Sequence, residues 1–203
     1  MNFGGIEEKY EALENARFVV VPVPYDLTTT YQGGARRGPA AILEASCNME
    51  LYDEEIEAET YRAGIHTMEP LEAVASGPAG MLERIEEAID GVLERRKIPV
   101  MLGGEHSITL GAIRAARKRC PKLSVLHLDA HADMRMSYQG TPYSHACIGR
   151  RISELCPVVQ AGIRSMSAEE ARYLRKRKLP LIPASGVRGS RGWIAKALRS
   201  LSR

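Results

Sequence analysis

The stretch LSVLHLDAHADMR, Leu123 to Arg135, is an apolar run that ends in Asp129, His131 and Asp133, spaced two apart. Two carboxylates and an imidazole offer hard oxygen and nitrogen donors. That set suits divalent ions such as Mn²⁺ or Zn²⁺ and needs no thiolate. If extended geometry persists through the stretch, alternate side chains point the same way and the three converge. A second apolar run, IPVMLGG, is followed directly by Glu105 and His106, so His106 stands in the same kind of place. His106, Asp129, His131 and Asp133 are therefore candidate metal ligands, enough for one ion fully or for two in part. Two neighbouring divalent ions lower the pKa of a bridging water and steady the charge that develops as it attacks a trigonal carbon. Such a site suits hydrolysis of a poor electrophile. Another group must pass a proton to the leaving amine, and His145, in the polar stretch TPYSHACIGRR, is a candidate, since histidine is the side-chain type suited to that work near neutral pH.

Each of these residues has a plainer reading. A lone Asp-x-His-x-Asp is usually solvated, and a lone His after Gly-Gly usually starts a helix. Both motifs at the ends of consecutive apolar runs make chance the lesser reading. His127, one step back inside its run, is read as a packed residue that supports ligands. His66 is read as structural. Cys147 is set aside as a ligand because carboxylates dominate the site.

The elements that must position these residues follow from apolar patterning. Strands are expected at RFVVVPVPY, within ETYRAGIHTM, at IPVMLGG, LSVLHLD, CPVVQAGIRS and LPLIPA. A helix with Pro39 in its first turn is expected from Gly38 through Tyr52. Others are expected over 78–97, where Met81, Leu82, Ile85, Ile89 and Val92 repeat at helical spacing, and over 107–119. Ser167 and Glu170 form a capping box for a helix through Lys178, and a last amphipathic helix is expected over 190–202. Continuous apolar strands alternating with helices imply an α/β protein with a parallel sheet covered on both faces. Ligands in such sheets bind beyond the carboxyl ends of the strands, where both polar clusters fall.

Bulk properties narrow the function classes. The chain has 203 residues, is 44% hydrophobic and carries a net charge of +3, which is long enough for one real core. Residues 171–203 hold ten Lys or Arg and no Asp or Glu, leaving the first 170 residues at −7. No aromatic-basic interleaving or reader motif accompanies that basic end, so nucleic acid is not an expected partner. No apolar run is long enough for a membrane span, and the acidic start lacks a signal core. Four scattered cysteines without a CxxC pair fit a reduced, cytoplasmic protein.

The motifs GGEHS, LDAHAD and YSHACIGRR, with the opening segment VPVPYDLTTTYQGGARRGPAAILEAS, resemble those of the ureohydrolases, the arginase and agmatinase family. The GIHTM segment makes the pattern most like agmatinases. The resemblance runs from about Phe18 to the last helix. It implies a three-layer α/β/α fold with a mostly parallel central sheet and a dinuclear manganese site. Carried over by position, His106 and Asp133 would bind one manganese, Asp129 both, and His131 the second. Glu105 would be supportive, and His145 would assist proton transfer near the substrate. The implied reaction is hydrolysis of a guanidino compound by metal-bound hydroxide, with agmatine giving putrescine and urea for polyamine biosynthesis. Arginase, guanidinobutyrase or formiminoglutamase activity are alternatives within the family. The family also implies a trimer or hexamer.

The sequence departs from that pattern in one respect. The family's late Asp-x-Asp-x-x-Asp motif does not occur here, so only four of six implied metal ligands are present. Residues 1–203 are expected to form a single arginase-like domain, truncated before the strand that would carry Asp-x-Asp. That strand and its neighbours would lie between the strands ending at His106 and Asp129, which would otherwise face a gap. Weak manganese binding and little activity are expected of the chain alone. A non-catalytic, truncated paralogue is a second alternative.

Overall fold

A computed structural model describes residues 1–188 and 191–201. The chain packs as two compact units, Met1–Ala112 and Ile113–Arg203. Each unit is built around a three-stranded, wholly parallel sheet.

In the first unit the strands are β1 (Phe18–Val23), β2 (Ile65–Thr67) and β3 (Ile98–Gly103), with β1 in the middle. Val19, Val21 and Val23 of β1 are fully buried. Helix α1 (Gly38–Ser46) starts with Pro39 in its first turn, where the missing N–H costs nothing. It stops six residues before Tyr52, the expected end. The Ser46 hydroxyl donates to Leu43 O, and the Asn48 amide donates to Glu44 O. These side chains compete for the carbonyls that continued helix would use. Helix α2 (Pro78–Glu94) buries Met81, Leu82, Ile85, Ile89 and Val92 as one stripe against β1 and β3, as the spacing predicts.

Helix α3 (Thr109–Arg119) carries the chain into the second unit. There the strands are β4 (Val125–Leu128), β5 (Val158–Ile163) and β6 (Leu181–Pro183), with β5 in the middle. The longer helices that follow are α4 (Ile148–Leu155), α5 (Ala168–Arg177) and α6 (Gly192–Ser200). Val159, Ala161, Ile182 and Ala197 form a core against which Trp193 and Val187 pack. The Ser167–Glu170 capping box forms as expected, and Lys178 closes α5 in the left-handed conformation. The expected ends of the last helix, Ser190 and Ser202, lie outside the described residues.

Each sheet has an apolar strand at one of its edges. Among the described residues, β3 pairs only with β1, and β4 pairs only with β5. Ile98 and Val100 are 42% and 40% exposed, and Leu126 and Leu128 are 39% and 63% exposed. Apolar strands of a parallel sheet are normally buried on both faces. These two are central strands by composition and edge strands by position.

Candidate metal centre

The second unit gathers titratable groups beyond the end of β4. His127, Asp129 and Asp133 each place a ligand-type atom within 4.8 Å of the others. The strand does not persist to Asp133 as the spacing-two pattern supposes. It stops at Leu128, and Asp133 takes a left-handed conformation with φ of 51°. Backbone bonds to the next strand's end hold the irregular stretch. Asp129 N donates to Ala161 O, Ala132 N to Ser165 O, and Arg164 N to Ala130 O. Gly162 sits opposite, in a bulge of β5, because a Cβ there would meet Asp129 O at 3.0 Å.

That bend sorts the side chains. Asp129 and Asp133 turn inward with His127, while the His131 side chain remains 64% exposed. Asp129 lies between two imidazoles. Its Oδ2 is 3.4 Å from His127 Nε2. Its Oδ1 is 3.4 Å from His131 Nδ1 and accepts the His131 backbone N–H at 2.8 Å. The far side of Asp133 is tied down by the capping box. Glu170, buried, accepts the Met134 N–H at 2.9 Å and the Ser167 N–H at 2.6 Å. The carboxylate that starts α5 therefore also fixes the residue next to Asp133.

His145 stands on a separate turn. Ser144 caps a short helical turn over His145–Cys147, and its hydroxyl lies 3.3 Å from His145 Nδ1. The Tyr138 ring meets the imidazole edge-to-face at 6.0 Å. Cys147 is fully buried, and burial pushes its thiol up, which disfavours the thiolate a soft ligand needs. All four cysteines are free thiols. His66 has a structural partner, as expected, with Nδ1 3.0 Å from Glu11 O.

The first unit holds His106 at the start of a helical turn after β3. Its neighbour Glu105 is buried and accepts from Thr28 N at 2.6 Å, from the Thr28 hydroxyl and from the Ser107 hydroxyl. Glu105 N donates to Tyr25 O at 2.8 Å. Gly104 is required here by close approach, since a Cβ would fall 2.0 Å from Tyr25 O. GGEHS and VPYDLT are thus two halves of one clamp. Inside the second half, buried Asp26 accepts from Gly34 N, Arg36 N and Arg36 Nε. Burial alone would raise its carboxyl, but those donors outweigh it and hold it below the usual range. Burial and the Glu105 charge push the Tyr25 hydroxyl up to about 12.

Residue identity signalled Asp129, Asp133, His131, His106 and His145. It did not signal Gln160, fully buried on β5, whose amide reaches the His127 ring. An uncharged residue in an apolar strand carries no such signal until its register partner is known. Two carboxylates drawn together at partly buried positions repel one another unless a cation is shared. Hard oxygens with imidazole nitrogens nearby fit a divalent ion of the manganese or zinc type.

No helix among the described residues is long and apolar enough to cross a membrane. The model of the arginase family matches residues 16–203. An N(1)-aminopropylagmatine ureohydrolase of Thermus thermophilus is 45% identical over 183 residues, covering 89% of this chain and 62% of the relative. The enzyme of the same description from Synechocystis is 36% identical over 202 residues, covering 96% and 66%. The solved agmatine ureohydrolase of Thermoplasma volcanium superposes with a TM-score of 0.84 at 33% identity, covering 97% of this chain and 69% of that one. The chain thus spans somewhat under two thirds of the length of these two curated relatives.

Proposed function

This chain belongs to the arginase family, and from that premise we propose that it is the metal-binding part of a hydrolase acting on a guanidino compound, agmatine or its N-aminopropyl derivative, with release of urea. The observation that carries the reading is Asp129, with one oxygen facing His127 and the other facing His131 at a strand's carboxyl end. A carboxylate so disposed can serve two cations. In this reading Asp129, Asp133, His106 and His131 are the residues that would hold the manganese. On the same reading residues 1–203 belong to a single arginase-like domain. Manganese held there would supply a nucleophile at neutral pH and stabilise developing charge.

The chain's own groups do the rest. Asp129 and Asp133 supply the negative charge that draws the cations, and their position is held by Gly162, Ala161 and Glu170. The exposed His131 ring is available to a ligand without rearranging the core. His145 is the proton carrier for the departing amine, with Ser144 at Nδ1 and Tyr138 against its face. The aminopropyl derivative is favoured over agmatine itself by the description of the two curated relatives above. The second reading is a non-catalytic chain.

Urea release separates the readings. The chain is incubated with Mn²⁺ and, in turn, agmatine, N-aminopropylagmatine, arginine and guanidinobutyrate, with formiminoglutamate scored by formamide. Urea from the first two alone supports the proposal. Turnover confined to another substrate rejects its substrate class. No product from any of them leaves the non-catalytic reading in place.

A further inference from the structure

His127 lies in the acidic cluster, yet a metal ligand must offer a lone pair, and the surroundings of its ring decide where that lone pair is. Gln160 on β5 is the register partner of His127 on β4 and is fully buried. One of its amide atoms lies 2.7 Å from Ala132 O and 2.9 Å from His127 Nδ1. A carbonyl oxygen only accepts, so that amide atom is the nitrogen. The reversed amide would press two oxygens together at 2.7 Å. One N–H goes to Ala132 O and the other goes to His127 Nδ1, which must present its lone pair. A neutral imidazole carries one N–H, so the proton sits on Nε2. That nitrogen is 3.4 Å from Asp129 Oδ2.

We propose that Gln160 and His127 form a positioning relay for Asp129. Gln160 selects the Nε2–H tautomer of His127, and His127 directs that N–H at Asp129 Oδ2. His127 is then a holder of the carboxylate and not a metal ligand. Both of its ring nitrogens have assigned work, and its one lone pair, on Nδ1, faces Gln160. Two further facts agree. Gln160 Oε1 is buried with no partner among the described residues. An unsatisfied buried acceptor is costly, so an amide kept at that cost is kept for what its nitrogen does. Gly149, at the start of α4, closes the pair from the other side. A Cβ there would lie 2.5 Å from Ala132 O and 3.1 Å from Gln160 Nε2, so the helix presses directly on the relay.

The inference rests on Asp129 being a metal ligand for its purpose, but its geometry is testable without metal. Long-range ¹H–¹⁵N correlation on the metal-free, histidine-labelled full chain at pH 8 reads the tautomer directly. His127 is assigned as the signal missing from His127→Gln. The expected spectrum shows an unprotonated Nδ1 and a protonated Nε2, and Gln160→Met shifts it toward the other tautomer. A proton on Nδ1 in the unsubstituted chain overturns the relay. Mn²⁺ titrations then test its use. His127→Gln keeps an N–H at the Nε2 end and is expected to bind close to the unsubstituted chain. His127→Phe keeps the bulk without the donor and is expected to bind about ten-fold more weakly or worse. Equal losses in both variants, or no loss in His127→Phe, overturn the positioning role. If the unsubstituted chain binds no Mn²⁺, the metal reading of the cluster fails, while the spectrum still decides the tautomer.

Discussion

Glu105 accepts the backbone N–H and the hydroxyl of Thr28, a residue 77 positions earlier in the chain. One buried carboxylate thereby joins the two motifs that flank β1 and β3, and it sits beside His106 in the chain. Thr28→Val removes one of those donors and keeps the shape. Its expected cost is about 1.5–3 kcal/mol, the range for a hydrogen bond to a charged group. Urea unfolding measures it, and an unchanged midpoint would show that the clamp contributes nothing.

The Asp26 carboxyl makes stability depend on pH. Its folded value lies below the unfolded one, so its contribution is present above the ordinary carboxyl value of 3.8 and is lost as pH falls through the lower folded value. Acid unfolding followed by circular dichroism should be less steep in that window for Asp26→Asn, which should also be less stable near neutrality. Parallel acid curves for the two proteins would remove Asp26 from the account.

Tyr25 places its hydroxyl in the interior with no hydrogen-bond partner among the described residues. Burying a hydroxyl without a partner is unfavourable. Tyr25→Phe is therefore expected to leave stability unchanged or raise it by up to about 1 kcal/mol. A clear loss in thermal midpoint would mean that the hydroxyl has a partner in solution.

The open edges of β3 and β4 expose Ile98, Val100, Leu126 and Leu128. Unpaired apolar edges template further strand pairing. The chain alone should scatter light in a concentration-dependent way, and Val100→Lys with Leu128→Lys should suppress this without changing the circular dichroism spectrum. A monodisperse chain at high concentration, with or without the lysines, would show the edges to be harmless.

Much of this was legible in the residues because the signals are local. The stripe Met81, Leu82, Ile85, Ile89 and Val92 forms α2 as its spacing predicts, and Ser167 with Glu170 caps α5. The α/β class and the parallel pairing also follow from continuous apolar strands. What escaped is non-local. The second job of Glu170, holding Met134 N–H, depends on a contact 36 residues away in the chain. The left-handed turn at Asp133 comes from the bonds made by its neighbours to the end of β5, so alternation in the sequence overstated how His131 would align with the two aspartates. Gln160 gave no signal because its role exists only in register with His127.

The central claim is that the end of β4 is a divalent-metal centre built on Asp129 and Asp133. Titration of the chain with Mn²⁺, with free ion followed by electron paramagnetic resonance, tests it most directly. The account predicts weak but saturable binding that falls about ten-fold or more in Asp129→Asn and in Asp133→Asn, with the folds of both variants intact. Binding that is absent from the unsubstituted chain, or unchanged in both variants, would contradict it.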